Sequence, residues 1–334
     1  MSCFGSLASR LTRDAIFAIV LGLMWPASVH AEEIVVTLWG SGMIGAPHAV
    51  AMEKGFFEEA GIKITGIMGG AGGGNVVRNV LANDLPYGEV ALPAAIAAQK
   101  QGLPIVIVNG GSLASDNVWV TMPNSDVNSL KDLVGKKVAY TTPKSISEAF
   151  LRMAFESKGI DVRQVTMVAG GSIGSGLTLL ENGAVDAALI VEPVHSLRKD
   201  KYKAVFAVRD TLPPVMSVVG ITTREFAQRH PEKIRAIIQA RRKAVEFIYA
   251  HPEEAGRIMA RAYDMKPEIG VEAVTAVAKT GYWLTGEVDA RLMENLARGL
   301  RLTGELIGDV DWDKWIDTSM LPDDLKAKSK LTSK

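Results

Sequence analysis

The stretch IVVTLWGSGMIGAPHAVAMEKGFFEEAGIKITGIM, residues 34–68, holds the pattern that decides the fold. Ile34–Trp39 is a β-rich apolar run, Pro47–Ala60 reads as a helix stopped by Gly61, and Ile62–Met68 reads as a second strand. Strand, helix and strand in that order make a βαβ unit. Outward from it the alternation continues, with a helix over Asn75–Ala82, a short strand over Glu89–Leu92, a helix over Ala94–Gln101 ended by Gly102, and a strand over Pro104–Val108. Such alternation predicts an α/β fold with mostly parallel strands.

After Gly110-Gly111 a second unit of the same kind begins. Its strands are expected near Asn117–Thr121, Lys137–Thr141, Gln164–Val168, Ala187–Val191 and Ala204–Val208, and its helices near Ser147–Lys158, Gly176–Asn182 and Pro193–Lys199. Met216–Thr222 then reads as a strand returning to the first unit. Beyond it nearly everything is helical, with Pro231 and Pro252 at first-turn positions, where a missing N–H costs nothing. The expected body has two doubly wound α/β lobes joined by two crossover strands, near residues 109–117 and 215–221. The expected boundaries are 32–112 for the first part of lobe 1, 113–215 for lobe 2, and 216–334 for the rest of lobe 1 with its C-terminal helices.

Residues 1–31 read as a secretory signal: Arg10 and Arg13 precede an apolar run from Ala15 to Trp25, and small residues lead to Val29-His30-Ala31. Cleavage is expected after Ala31, which places the mature protein in the periplasm. The apolar run is well short of the roughly twenty residues that span a bilayer. The only cysteine, Cys3, lies before that run, so a mature chain has no thiol, no disulfide, no thiolate nucleophile and no cysteine-based zinc site. Lysine plus arginine total 37 and aspartate plus glutamate total 37, mixed along the chain, so no footprint for nucleic acid or an anionic membrane is visible.

Three segments carry a family resemblance. Pro47–Ile62 contains Gly55-Phe56-Phe57, separated from Ala51 by the three residues Met52-Glu53-Lys54; Ser129-Leu130-Lys131-Asp132-Leu133-Val134-Gly135-Lys136-Lys137-Val138-Ala139 opens the second unit; and Leu180-Glu181-Asn182-Gly183-Ala184-Val185-Asp186-Ala187-Ala188 precedes Glu192-Pro193. Each alone is weak, because a glycine or proline at such a place also has an ordinary turn or capping role. In this order, behind a signal segment, they resemble the nitrate/sulfonate/taurine and thiamine-pyrimidine-precursor branch of ABC-importer solute-binding proteins. The resemblance implies a type II periplasmic-binding-protein fold, a monomer that closes by a hinge on a small-molecule ligand, and an ABC permease with its ATPase as partners. It implies no enzyme activity, no cofactor and no metal, and contact with the membrane only through the permease.

In open parallel sheets ligands bind beyond the carboxyl ends of the strands, so the strand-to-helix turns supply the candidate ligand-binding residues. In lobe 1 these are Trp39, Ser41, Gly42, Gly73, Gly74 and Ala94, with Trp39 as a stacking wall and the others as sources of hydroxyl and backbone donors. In lobe 2 they are Thr141, Thr142, Ser145 and Ser147 at a helix start suited to an anion, completed by Asn117 and Glu192. Ser145 or Ser147 serving only as an ordinary helix cap is the competing reading. The hydroxyl-rich helix start favours a small organic anion such as a sulfonate, a carboxylate or nitrate, with a pyrimidine or other heterocycle as the alternative.

Several chemistries are excluded. The run Gly69–Gly74 lacks the Lys-Ser or Lys-Thr of a phosphate loop, Gly170–Gly176 lacks dinucleotide spacing, and neither a metal-binding histidine pair nor a nucleophile elbow occurs. Thiamine-pyrimidine binders carry a histidine six residues after their tryptophan, where this chain has Gly45. The related fungal pyrimidine synthases need a cysteine-rich iron motif that this chain lacks.

Overall fold

A computed structural model describes residues 32–70 and 73–332. The signal-segment reading of residues 1–31, with its cleavage point, lies outside the described residues. The described residues form ten strands: β1 (Glu33–Thr37), β2 (Gly66–Gly70), β3 (Tyr87–Ala91), β4 (Ile105–Leu113), β5 (Val118–Thr121), β6 (Lys137–Tyr140), β7 (Thr166–Ala169), β8 (Ala188–Ile190), β9 (Lys203–Ala207) and β10 (Met216–Thr223).

The first lobe is a five-stranded sheet in the order β2-β1-β3-β10-β4. β1 pairs in parallel with β2 and β3, and the returning strand β10 inserts antiparallel between β3 and β4. β1 is buried from Ile34 through Thr37 and β4 from Ile105 through Ser112, which is why both read as near-continuous apolar runs. The helix expected over Pro47–Ala60 is two helices, Ala46–Glu53 and Phe56–Glu59. Gly55, at a φ of +70°, turns the chain between them so that Phe56 and Phe57 swing into the core.

In the second lobe β5 lies antiparallel between β8 and β9, while β6 and β7 form a parallel pair. A bridge from Val138 to Ala187, with Ala139 N–H donating to the Ala187 carbonyl at 2.8 Å, joins the two parts edge to edge. The combined order is β7-β6-β8-β5-β9. The helix expected over Pro193–Lys199 is reduced to one turn, Val194–Leu197.

The lobes also share packing outside the two crossings. The Ala290–Leu302 helix packs its apolar face, Met293, Leu296, Ala297 and Leu300, into a buried cluster that reaches from Val35 and Leu92 in lobe 1 to Phe150, Met153 and Trp119 in lobe 2. Close approach depends on Gly299, because a Cβ there would lie 2.5 Å from Met153 Sδ and 3.1 Å from Ala149 Cβ on the Ile146–Ser157 helix. The Arg298–Glu156 ion pair, at 2.6 Å, lies at the same contact. No helix among the described residues is long and apolar enough to cross a membrane.

Candidate ligand-binding cleft

A cavity of about 440 Å³ opens where the strand ends of the two lobes face each other. Lobe 1 contributes Thr37 and Leu38 at the end of β1, Gly42 through Ile44 in the following turn, Ala91 at the end of β3, and Tyr282. Lobe 2 contributes Thr141, Thr142, Ile146 and Ser147 after β6, Gly171 through Ile173 after β7, and Leu189, Val191 and Glu192 at the end of β8. Asp116 and Asn117 lie between them on the crossing from β4 to β5. Apolar walls with a few convergent polar groups are the usual make-up of a small-molecule site.

Of the twelve residues the sequence singles out, Gly42, Asn117, Thr141, Thr142, Ser147 and Glu192 line this cavity. The other six do not. Trp39 sits past a left-handed Leu38 (φ 56°), and its ring packs edge-on against Tyr263 with centroids 5.2 Å apart. Gly45 leaves room for that packing, since a Cβ there would lie 2.6 Å from Trp39 Cε3 and would also strike the Tyr263 hydroxyl. A side chain at this position, histidine included, would collide with that packing.

Ser41 is exposed, and its hydroxyl donates to the Leu38 carbonyl at 3.3 Å. Gly73 and Gly74 start the Gly73–Ala82 helix, which follows the edge strand β2 and packs against β1 and β3, and neither is among the residues lining the cavity. Ala94 is displaced because its helix starts earlier than expected, at Leu92, with Pro93 in the first turn. Ala91 takes the wall position instead, and Ala94 packs on the core.

The helix start after β6 is largely satisfied from within. Ser145 caps the Ile146–Ser157 helix by accepting from Glu148 N–H at 3.3 Å, and Glu148 Oε2 accepts from Lys144 N–H at 2.6 Å. Glu148 also pairs with Arg152 at 2.7 Å. The buried Ser147 hydroxyl accepts from Thr141 N–H at 3.0 Å and lies 2.8 Å from Thr141 Oγ1. A carboxylate of the chain itself thus occupies the positive end of this helix, where the sequence reading places a ligand anion. No lysine or arginine lines the cavity among the described residues. The electrostatics of this cleft run against the anion expectation.

Its charged groups are two acids. Asn117 Nδ2 donates to Asp116 Oδ1 at 2.9 Å, and Ser196 N–H donates to Glu192 Oε2 at 3.0 Å. Glu192 is 7 % exposed, and His195 Nδ1 stands 3.7 Å from its other oxygen. Burial, reinforced by the Glu192 charge, pushes the Asp116 carboxyl up to about 7 against the hydrogen bonds of its own backbone and Asn117. Burial also holds the Tyr282 phenol well above its ordinary value.

Asp116 and Tyr282 were not among the sequence candidates. A faint signal for Asp116 existed, since it lies on the crossing between lobes beside Asn117. None pointed to Tyr282, which follows a run of helices. Among the described residues, no group of three or more histidine, cysteine, aspartate or glutamate side chains is placed to hold a metal ion.

Residues 45–255 match the family model described as NMT1/THI5 like. The chain belongs to the NMT1/THI5-like family. Among relatives of this NMT1/THI5-like chain, a putative thiamine biosynthesis protein of Haemophilus influenzae is 26 % identical over 246 residues, covering 72 % of this chain and 76 % of that one. A 4-amino-5-hydroxymethyl-2-methylpyrimidine phosphate synthase of Legionella pneumophila is 21 % identical over 253 residues, covering 73 % and 76 %. The crystal structure of the periplasmic aliphatic sulphonate binding protein SsuA from Escherichia coli superposes with a TM-score of 0.70 at 16 % identity, covering 85 % of this chain and 91 % of that one. This last likeness establishes the type II periplasmic-binding-protein fold for the family member described here.

Proposed function

We propose that this NMT1/THI5-like protein is the extracytoplasmic solute-binding component of an ABC importer, exported by its first 31 residues. It captures a small solute between its lobes and delivers it to a permease. The observation that carries this reading is the interlobe cavity itself. About 440 Å³ of space sits between facing strand ends, within the range of small-molecule sites. The lobe limits at 32–112, 113–215 and 216–334 belong to the same proposal, with the crossings acting as the hinge. Of the two ligand classes open at the sequence level, a heterocycle suits the apolar walls and the lack of lysine or arginine better than an anion. The pyrimidine in the name of one relative points the same way.

A thermal-shift screen of pyrimidines, alkanesulfonates, aromatic carboxylates and nitrate tests this. A ligand at a hundred times its dissociation constant adds about 2.7 kcal/mol to stability, a readily measured rise in Tm. The expected result is stabilisation by a nitrogen heterocycle that is recovered chemically unchanged by mass spectrometry. Conversion of the ligand to product contradicts the receptor reading in favour of an enzyme. Stabilisation by sulfonates or nitrate alone contradicts the ligand class.

A further inference from the structure

We infer that Asp116 and Glu192 together select a ligand carrying a positively charged N–H donor, an amine, amidine or protonated ring nitrogen, and turn anions away. The inference rests on the cleft being the ligand site and names the chemical class that the site takes. Three observations carry it.

First, Asp116 and Glu192 are the charged side chains on the cavity wall among the described residues. An ionised carboxylate only accepts hydrogen bonds, so with both acids ionised the pair offers nothing to an anion and repels it.

Second, both acids are held in place by neighbouring groups, and Glu192 Oε1 also faces His195 Nδ1 at 3.7 Å. Asn117 holds Asp116 Oδ1, and Ser196 N–H holds Glu192 Oε2. Fixed orientation is what a charge-assisted hydrogen bond to a ligand requires.

Third, the cations of the neighbourhood stand on the other side. A second cavity of about 690 Å³, between β9 and the end of the Pro267–Ala278 helix, shares Asp116 and Glu192 with the cleft. His195, Arg209 and Lys279 line that cavity and not the cleft. Of these, Arg209 is engaged by Asp210 at 3.6 Å and by the Ser115 carbonyl at 3.3 Å. His195 stands 3.7 Å from Glu192 Oε1 on the wall of that second cavity, and no cationic side chain lines the cleft itself among the described residues.

The Glu192 charge repels an ionised Asp116, and a proton on Asp116 relieves that repulsion when the cleft is empty. A bound cation replaces the proton. Ligand uptake is thereby linked to proton release. The titratable and charged groups facing Asp116 are Glu192 and His195 from the turn after β8, Arg209 and Asp210 after β9, and Lys279 and Tyr282 after the Pro267–Ala278 helix. The Asp116 carboxyl, pushed up to about 7, is the group placed to exchange a proton near neutrality.

The test is calorimetric titration of the full mature protein with benzamidine and 4-aminopyridine as cationic probes and benzoate and benzenesulfonate as anionic ones. Each is run at about pH 6 and about pH 8, in buffers of different ionisation enthalpy. The cationic probes are expected to bind, more tightly at the higher pH, with up to one proton released at the lower pH. D116N and E192Q are each expected to weaken them by about ten-fold or more, and D116N to abolish the proton release. Circular dichroism of both variants confirms that they fold, and E192Q carries the test if D116N does not.

Binding of benzoate or benzenesulfonate as tightly as benzamidine overturns the assignment. So does unchanged benzamidine affinity in both variants, or no binding of either cationic probe. The receptor reading is scored separately by small-angle scattering. Cation binding that leaves the radius of gyration unchanged contradicts hinge closure while supporting the assignment, and closure on an anionic probe does the reverse.

Discussion

Replacing Arg241 with methionine lowers the stability of the unliganded protein by about 3–5 kcal/mol, the usual loss when one partner of a buried ion pair is removed. Arg241, on the Pro231–Ala250 helix, is 1 % exposed and forms an ion pair through Nε with Glu89, whose other oxygen lies 3.4 Å from His48 Nε2. Its Nη1 donates to the Leu284 carbonyl at 2.6 Å and its Nη2 to the Gly111 carbonyl at 2.7 Å. Gly111 is near the end of β4, where the first crossing leaves lobe 1, so a single guanidinium ties the root of the hinge to the helical layer. Methionine fills the volume but leaves a buried carboxylate and two carbonyls without their donor.

Burial works to raise the Glu89 carboxyl, but the Arg241 and His48 charges prevail and hold it below its ordinary value. A carboxyl whose folded pKa is depressed stabilises the fold above the unfolded pKa, and that contribution is lost as pH falls through the folded value. Wild-type stability therefore drops in acid over the carboxylate range, and the variant shows a smaller drop from a lower starting point. Chemical denaturation at several pH values measures both. A loss under about 1 kcal/mol would show that the charge cluster is dispensable.

Replacing Trp119 with alanine costs a similar amount, about 3–5 kcal/mol, and also weakens ligand binding. Trp119 is fully buried in the middle of β5 and stacks on Phe206 of β9, with rings 5.0 Å apart and nearly parallel. Its indole N–H donates to the Ala139 carbonyl at 3.0 Å, reaching across to β6. β6 ends one residue later and delivers Thr141 and Thr142 to the cleft. Alanine removes the stack and the hydrogen bond together, leaving a cavity that the sheet closes over only in part. Phenylalanine keeps the stacking surface and is expected to lose about 1–2 kcal/mol, mostly from the unsatisfied carbonyl. An alanine variant with wild-type affinity would break the link between this core contact and the site.

Much of the fold was legible because its signals are local. Strand and helix periods, the glycine stops at Gly61 and Gly102, and the prolines at Pro231 and Pro252 each depend on a few neighbouring residues. The Gly55 break was not legible, since a left-handed glycine and an ordinary helical one look alike in sequence. The edge-to-edge joining of β6 and β8 and the packing of the Ala290–Leu302 helix across both lobes depend on contacts between residues far apart along the chain.

The site divides in the same way. Thr141, Thr142 and Glu192 follow strands closely and line the cavity where the strand-end rule puts them, and Ser147 reaches it from the first turn of the next helix. Trp39 follows a strand too, but the turn at Leu38 and Tyr263, more than two hundred residues later, decide where its ring goes. Asp116 escaped because its role depends on which charges stand opposite, and the facing residues come from elements distant in sequence.

The account as a whole comes down to where a ligand sits and what it offers the protein. The decisive measurement is a crystal structure of the mature protein with a stabilising compound from the thermal-shift screen. Electron density between the β6 turn and Tyr282, with a ligand nitrogen within hydrogen-bonding distance of both Asp116 and Glu192, is the predicted result. Density for an anion at the start of the Ile146–Ser157 helix, or for a ligand outside the interlobe cavity, would contradict it.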